Sequence, residues 1–398
     1  MLAIVCAAVG LQSIRACLDI LFPLSLSKRL GLSPSDLSST MGKRWYGVFI
    51  AMACGAELAR RTSRFSVPAL LCTLGVLMYI LGSYCDTIWS CSLVLGISGA
   101  LVSVAAMCTN VLVQTANPES KSRNNTIYRV CGNITYSVFS LLLGQHVILQ
   151  DDNVDTLQHV YVTTTCVVLV CAGSVYAYSS ETKPSREGKN HDFSSLLCSE
   201  SRDLIVLSTV LAILATCAAT SRSMIEPRFV GNLSVSGSTY GSIHAASSFV
   251  SLLSTILVGR MLMQDHIDAR FALIFLAFAM SLGMILVTSS SSSFLSSAGV
   301  ILSRAAEESA KVPCNVWLAN LASQHTKHDV ATILSACIAF QKLFGAFMKA
   351  VAASIASELI RQHGVSGVFQ LCAFVSIISA CSLLIYFNRR PTESSKTK

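Results

Sequence analysis

Long apolar stretches recur along the whole 398-residue chain and limit most strongly what it can fold into. A helix needs about 20 predominantly apolar residues to cross the hydrocarbon core of a bilayer. Runs of that length follow one another here with mostly short polar connections between them. Charged residues make up only 13% of the chain, whereas soluble domains carry about 25%. We therefore predict an all-α polytopic membrane protein.

This composition excludes a soluble enzyme, a disordered protein and a disulfide-rich secreted domain. The sixteen cysteines form no CxxC pair, and most lie inside apolar runs, where they are expected to act as small buried hydrophobic residues. No nucleotide-binding, serine-hydrolase or zinc-protease motif occurs in a suitable context. We therefore expect no enzyme activity, no cofactor and no metal site.

The apolar runs predict twelve transmembrane helices in two groups of six. The longest polar connection, 179–203, separates an N-terminal half (1–178) from a C-terminal half (204–390), and a short tail follows (391–398). The predicted spans are 2–27, 39–59, 66–84, 89–115, 125–148, 157–178, 204–228, 239–262, 271–288, 294–321, 330–356 and 366–387.

Basic residues in the connections predict the orientation. Sixteen Lys and Arg residues fall on the side that holds both termini and the 179–203 connection, and seven fall on the opposite side. Cytoplasmic loops carry the excess of Lys and Arg. Both termini and the central connection are therefore predicted to be cytoplasmic.

A faint internal repeat agrees with two halves in parallel orientation. LGLSPSDLSSTMG (30–42) follows the first span and GNLSVSGSTYGSI (231–243) follows the seventh. Both lie on the predicted outer side and lead into the next span. A duplicated transporter shows this arrangement, and a chance similarity between two Ser- and Gly-rich turns is the alternative.

Charged residues within the apolar runs are unevenly distributed. Each costs about 2.5–3.5 kcal/mol at the centre of a spanning helix, so a chain keeps them for structural or functional reasons. The third, sixth, ninth and twelfth spans carry none in their apolar stretches. Most of them are in three spans, with Arg15 and Asp19 in the first, Arg304, Glu307, Glu308 and Lys311 in the tenth, and Lys342 and Lys349 in the eleventh.

The spacing of these residues places each set on one helix face. Such a stripe is expected to face the bundle interior or a water-filled cavity. The four charges of the tenth span, or Arg15 with Asp19, could instead pair with each other and only fix helix packing. Lys342 and Lys349 have no acid on their own helix, so they need a partner elsewhere or an anionic ligand.

Other polar residues are not expected to form the site. Arg222, Glu226 and Arg228, at the end of the seventh span, are expected near the outer surface. The isolated histidines are expected in core or interface roles, namely His146, His159, His244 and His363.

The segment AELARRTSRF (56–65), after the second span, resembles the loop motif G-x-L-A-D-R-x-G-R-R of the major facilitator superfamily. The matching residues are Leu58, Ala59, Arg61 and Arg64. Arg60 stands where the family has Asp, and Ala56, Ser63 and Phe65 are further departures. In the family this Asp helps to lock the cytoplasmic gate. The resemblance implies a gating loop with Glu57, Arg60, Arg61 and Arg64, in which Glu57 is the only acid that could replace the missing Asp.

LDILFPLSLSKRLGLS (18–33) resembles the first span of efflux members, with Asp19 as the intramembrane acid and Pro23 as the following proline. The chain is thus most similar to the drug:proton antiporter and tetracycline-efflux-like branch, which includes organic-cation-transporter-like animal members. The fourth span lacks the Arg of many proton-coupled members, and the fifth lacks the GPxxGG antiporter motif. In the family fold, spans one, four, seven and ten line the cavity, and three, six, nine and twelve face lipid, which matches the charge-free spans.

We therefore predict a secondary transporter of a small organic solute that works by alternating access. Its expected partners are the solute, protons and the lipid bilayer, with no nucleic acid, and it is expected to be monomeric. The candidate substrate and ion-coupling residues are Arg15, Asp19, Arg304, Glu307, Glu308, Lys311 and Lys342. The acids could carry a proton or cation, and the basic residues could anchor an anion. The alternative is a transporter-like receptor or scaffold that does not transport.

Overall fold

The structure, a computed structural model, describes residues 2–17, 30–62, 64–115, 121–148, 165, 167–174, 202–264, 266–289, 291–324 and 330–388. In the first part of the chain, the helices are α1 (Leu2–Ala16), α2 (Pro34–Arg61), α3 (Ser66–Ser83), α4 (Ile88–Thr115), α5 (Lys121–Ile148) and α6, of which residues 167–174 are described.

In the second part, the helices are α7 (Arg202–Ser223), a short π-helix (Pro227–Asn232), α8 (Gly237–Met263), α9 (Ala269–Ser289) and α10 (Ser293–Gln324). The helical stretch Val330–Asn388 is broken at Gly364, whose φ of 68° and ψ of −177° are not helical. We number the helices before and after this break α11 and α12.

Most described helix ends lie near the predicted span ends, but the first, sixth, seventh and eleventh spans are exceptions. Both ends of the sixth span lie outside the described residues, and α11 runs past its predicted end at 356 to the break at Gly364. Residues 18–29, which hold the end of the predicted first span, lie outside the described residues. The seventh span was predicted to run to residue 228, but α7 ends at Ser223, and the π-helix follows. Pro227 lies at the start of this π-helix, and proline cannot continue an α-helical hydrogen-bond ladder.

The two copies of the sequence repeat adopt the same local structure. The Ser33 and Ser236 side chains cap the N-termini of α2 and α8, and each accepts a hydrogen bond from the backbone N–H three residues later, at 3.2 and 3.4 Å. Two residues before each cap the backbone has positive φ, 59° at Gly31 and 49° at Ser234. The two segments therefore share a helix-start geometry, although the capping serine is the fourth residue of one segment and the sixth of the other.

Exposed apolar side chains occur on most helices, and they form regular stripes on three helices that carry no charges in their apolar stretches. On α3, α9 and α12 they recur at helical spacing: Leu70, Leu74, Leu77 and Leu81; Phe271, Phe275, Phe278, Leu282 and Ile285; and Leu371, Phe374, Ile378 and Ile385. The described side chains of α1 and α7 include no exposed large hydrophobic residue. This pattern suits a bundle with α1 and α7 inside and with lipid against α3, α9 and α12.

Among the described residues, five helical stretches are long and apolar enough to cross a membrane. They are Ile88–Thr109, Ile205–Ser223, Thr239–Leu262, Ala269–Thr288 and Phe340–Asn388. The last stretch covers the α11–α12 break. Shorter apolar helices occur at Ile4–Ala16, Ser66–Gly82 and Val130–Leu143. The chain is thus a multi-pass helical protein, and the count of twelve crossings stays a prediction.

The two largest hydrophobic clusters draw on separate parts of the chain. One contains residues between Leu11 and Val168, and the other contains residues between Leu214 and Ala380. The main helix contacts between these parts are α2 with α11 and α5 with α8. At the α2–α11 contact, Gly42 lies directly against Ala353, and the Ser38 hydroxyl donates to the Ala353 carbonyl at 3.4 Å. These contacts join the start of α2 to the later part of α11.

The close packing of α9 on α10 depends on a pair of glycines. A Cβ built on Gly283 would lie 2.6 Å from the Gly299 carbonyl oxygen, and a Cβ on Gly299 would lie 2.6 Å from that of Gly283. Only residues without a side chain allow backbones to approach so closely.

Gly283→Ala should therefore force α9 and α10 apart and destabilise the fold by about 1–3 kcal/mol, the usual cost of overpacking. Gly259→Ala on α8 is the matched control, since a Cβ added at Gly259 would meet nothing within 4 Å, and alanine is the better helix former. The thermal midpoint of the purified protein should fall for the first variant and hold or rise for the second. Equal midpoints would contradict a close-packed crossing.

Candidate solute site between the helices

A buried ion pair joins α7 to α10. Nη2 of Arg222 donates to both carboxylate oxygens of Glu307, each at 2.5 Å. Their side chains are only 14% and 12% exposed. Arg222 was predicted near the outer end of the seventh span; it lies in the last turn of α7, and its side chain is buried against Glu307 of the neighbouring helix. A buried pair of this kind is stable only as long as both partners are present.

The second carboxylate of α10 links the two parts of the chain. Glu308 forms an ion pair with Lys311, one turn later on α10, and with Arg15 of α1, whose Nη2 lies 3.5 Å from Oε1 of Glu308. Glu308 is 14% exposed. Of the pairings that the sequence left open within α10, Glu308–Lys311 therefore forms, whereas Glu307 pairs outside the helix.

The fourth charged residue of α10, Arg304, contacts two neutral side chains. Its Nη1 donates to Nδ1 of His244 on α8 at 2.9 Å, and its guanidinium lies 4.3 Å from the ring centroid of Tyr136 on α5. Arg304 is 6% exposed, Tyr136 2% and His244 0%. Since arginine has no acceptor, Nδ1 of His244 must be the acceptor, and the imidazole is neutral with its proton on Nε2.

Tyr136 receives a second cation on its ring, because the guanidinium of Arg15 lies 5.8 Å from the same centroid. Both distances are within the range of a cation–π interaction. Arg15 and Arg304 thus converge on one aromatic ring between α1, α5 and α10.

The α11 lysines adjoin the same region from the side of α2. Nζ of Lys349 lies 4.3 Å from the ring centroid of Trp45 on α2. Lys349 also interacts electrostatically with Lys342, Arg222, Glu307 and Arg15. The sequence placed Lys342 and Lys349 on one face, and the structure puts that face next to the α7 and α10 charges.

We call these groups the central charged cluster. Its members are Arg15, Arg222, Arg304, Glu307, Glu308, Lys311, Lys342 and Lys349. A small cavity opens beside it, lined by Arg222, Arg304 and Glu307 together with Ser221 and Ser303.

Other predicted site residues are not placed by this geometry. Asp19 lies outside the described residues, as do the side chains of Glu57, Arg60 and Arg61. The backbone of α2 continues to Arg61 and is capped at Thr62, whose hydroxyl donates to the Leu58 carbonyl at 2.6 Å. In the turn to α3, Arg64 is exposed. The gating role of this loop stays a prediction.

The expectation that Glu226 and Arg228 lie at the surface is wrong. They are only 6% and 9% exposed, and Nη1 of Arg228 donates to the Ser366 hydroxyl of α12 at 3.4 Å. The π-helix that follows α7 turns these residues into the C-terminal part of the bundle, where α12 covers them. Their burial could not be predicted from an uninterrupted seventh span.

Sequence reasoning missed three aromatic members of the site. Tyr136, His244 and Trp45 each sit in an apolar or mixed helix, where a lone aromatic residue gives no functional pattern. His244 was expected in a core or interface role, and its 0% exposure fits the core. Its contact with Arg304 could have been found only by placing α8 next to α10.

Several solved transporter structures share this fold. A POT family transporter in complex with a thioalcohol-conjugated peptide matches with a TM-score of 0.76 at 10% identity, over 97% of this chain and 96% of that chain. The nucleoside transporter NupG matches with a TM-score of 0.72 at 11% identity, over 97% and 100%. A D-xylose–proton symporter also gives 0.72, at 14% identity over 96% of both chains.

These identities are low, so the likeness concerns the fold. The chain shares its fold with these solved transporters. The similar structures include a proton symporter, and they do not support the narrower assignment to the drug:proton antiporter branch. No protein-family model matches the sequence, and no curated protein matches it either.

The Arg222–Glu307 pair should be strongly coupled in stability. Glu307→Gln leaves Arg222 buried without its counter-charge, which should lower the free energy of unfolding by about 3–5 kcal/mol. Arg222→Gln should cost a similar amount, and the double variant should cost less than the sum of the two. This double-mutant cycle is measured by unfolding the purified protein in mixed micelles with a denaturing detergent.

The exposed Glu358–Arg361 pair is the matched control. These side chains are 58% and 62% exposed and lie 3.5 Å apart. Their coupling should be at most about 1 kcal/mol, as for other exposed pairs. Additive effects of the Arg222 and Glu307 substitutions would contradict the pairing described here.

Proposed function

We propose that this protein is a secondary transporter that moves a small organic solute by alternating access. The observation that carries the proposal is the convergence of charged side chains from α1, α7 and α10, with Lys349 of α11 nearby, on one region of the bundle. Charges in a spanning bundle are costly, and they typically mark solute and ion pathways. The transporter fold places such sites near the bilayer midplane between two repeats.

We further propose that the chain moves as two six-helix halves, 1–178 and 204–390. The separate hydrophobic clusters on either side of residue 200 support this division. The matching N-caps and positive-φ residues before α2 and α8 support a duplicated, parallel arrangement. Polar contacts between the halves include Arg15 with Glu308 and Arg304 with Tyr136, and an apolar cluster of α2, α4 and α11 also joins the halves.

The α2–α11 contact is a good candidate for a gate. It lies on the predicted outer side and brings Gly42 and Ser38 against Ala353, while the Ser357 hydroxyl donates to the Ser35 carbonyl at 3.1 Å. A solute could enter or leave on that side only after these helices separate. Alternating access requires this contact to form and break in each cycle.

Protons are the proposed coupling ion, with Glu308 as the described acid best placed to carry one. Glu308 shares its charge between Arg15 and Lys311, so a change in its protonation alters a contact between the halves. Asp19 remains a second candidate from its sequence position. The drug:proton antiporter branch and the direction of coupling remain proposals from the sequence resemblance alone.

A non-transporting receptor or scaffold is the other candidate. Arg60, at the position where the family has Asp, favours it. The central charged cluster opposes it, because a scaffold gains little from eight charged groups inside a spanning bundle. A transport measurement separates the two.

Proteoliposomes that contain the purified protein should take up a labelled solute in a saturable way from a panel of nucleosides, pentoses, short peptides, amino acids and organic anions. Uptake should depend on an imposed pH gradient, and Glu308→Gln should abolish that dependence. Glu358→Gln, on the exposed end of α11, is the matched control and should leave uptake unchanged. No saturable uptake of any solute by folded protein would favour the scaffold.

Locking the proposed gate gives an independent check. Ser38→Cys with Ala353→Cys should crosslink under mild oxidation, since their α2 and α11 backbones are in contact. The crosslink should reduce uptake to background, and a reducing agent should restore it. The two single-cysteine variants control for effects of the native cysteines. Full transport by the crosslinked protein would contradict gating at this contact.

A further inference from the structure

We propose that α2 and α4 bind one anionic phospholipid at the membrane interface, with its phosphate at Lys43 and Trp89 and an acyl chain along the apolar residues that follow them. This surface lies apart from the central charged cluster, and the proposal does not depend on the transport function. It follows from a lysine on a lipid-facing helix face, an exposed tryptophan beside it, and a glycine crossing between the two helices.

Lys43 is a cation on an apolar helix face. It is partly exposed, and Tyr46 and Ile50, three and seven residues later, are 47% and 69% exposed. This spacing puts the three residues on one face of α2. The exposed apolar faces of α3, α9 and α12 carry no charged residue in comparison. A cation on a face that meets lipid needs a polar partner, because its charge is costly in hydrocarbon.

The ammonium group of Lys43 reaches the outer end of the neighbouring helix. Its Nζ lies 5.6 Å from the ring centroid of Trp89, within the range of a cation–π interaction. Trp89 lies in the first turn of α4 and is 80% exposed. Lysine extends along apolar surface so that its charge reaches the lipid headgroups, and tryptophan is enriched at that level. The pair therefore marks the membrane interface on this side of the bundle.

A lipid phosphate complements the charge of Lys43. The ion pairs found within the described part of the chain do not include this lysine. Asp86, the acid of the turn before α4, is exposed, so water and salt screen its charge. Phosphate is the anionic group that a bilayer supplies at the level of Trp89. A headgroup with a net negative charge is favoured over a neutral one, because Lys43 attracts the whole headgroup.

The crossing of α2 and α4 provides the apolar part of the site. A Cβ built on Gly47 would lie 2.5 Å from the Gly96 carbonyl oxygen, so the two backbones are in direct contact. On α4, Leu93 and Ile97 follow Trp89 at intervals of four residues and are 63% and 38% exposed. Because the helices touch, this stripe and the exposed face of α2 form one apolar surface. The surface continues from the interface toward the bilayer centre, as an acyl chain does.

Trp89 provides a direct probe of this site. Trp45→Phe with Trp317→Phe leaves Trp89 as the single tryptophan of the chain. The protein is placed in phosphatidylcholine nanodiscs with a small, fixed fraction of a lipid whose brominated acyl chains quench tryptophan fluorescence on contact. The association constant at Trp89 should be about fivefold higher for brominated phosphatidylglycerol than for brominated phosphatidylcholine, as for one basic residue near a membrane surface.

Substitutions at Lys43 test the origin of this preference. Lys43→Gln should bring the ratio of the two association constants close to one, whereas Lys43→Arg should keep the preference because the positive charge remains. Arg361→Gln is the matched control, since it removes an exposed cation from α11, and it should leave the ratio unchanged. Soluble glycerol phosphate should not reduce the quenching, because it has no acyl chain to bind the apolar surface.

Equal association of the two brominated lipids with the single-tryptophan protein would overturn the proposal. A preference for phosphatidylglycerol that survives Lys43→Gln would do so too, because the attraction would then come from the net charge of the protein. Loss of the preference when glycerol phosphate is added would assign Lys43 to a free phosphate and reject the lipid site.

Discussion

The need to give every charge inside the bundle a partner constrains the arrangement of the helices. Insertion of a charged residue at a helix centre costs about 2.5–3.5 kcal/mol, and a broken buried pair costs about 3–5 kcal/mol. Glu307 and Glu308 are adjacent on α10, yet one binds α7 and the other binds α1. These two contacts fix α10 between the N-terminal and C-terminal clusters. Helices that carry no charge are free to face lipid.

Both packed and polar contacts occur within and between the two parts of the chain. Within the C-terminal part, Gly283 and Gly299 bring α9 and α10 into backbone contact, and one hydrophobic cluster contains residues from Leu214 to Ala380. Between the parts, a 3.5 Å ion pair and cation–π contacts on Tyr136 accompany an apolar cluster shared by α2, α4 and α11. Polar contacts can exchange for a solute or water, which a packed apolar core cannot do. In the proposed rocking movement, the polar contacts would exchange and the apolar ones would separate.

Much of the fold could be predicted from the sequence, because its signals are local. Ser33 and Ser236 mark helix starts through their capping bonds, and the absence of charges from α3, α9 and α12 agrees with their exposed apolar faces. Helical spacing alone predicts that the charged residues of α10 form one stripe that faces inward. The partners of that stripe could not be predicted, because Tyr136, His244 and Trp45 belong to other helices. The burial of Glu226 and Arg228 depends on a π-helix, which leaves no clear pattern in the sequence.

The central claim is that polar contacts at Arg15 hold the two parts of the chain in one of at least two arrangements. Pulsed electron spin resonance on the protein in lipid nanodiscs tests it, with spin labels at Thr87 and Ser292 on the predicted outer side and at Arg64 and His266 on the predicted inner side. Arg15→Gln removes the Glu308 ion pair and one cation on Tyr136. We predict that the outer distances lengthen and the inner distances shorten in a substantial fraction of molecules. Unchanged distance distributions on both sides would contradict the account.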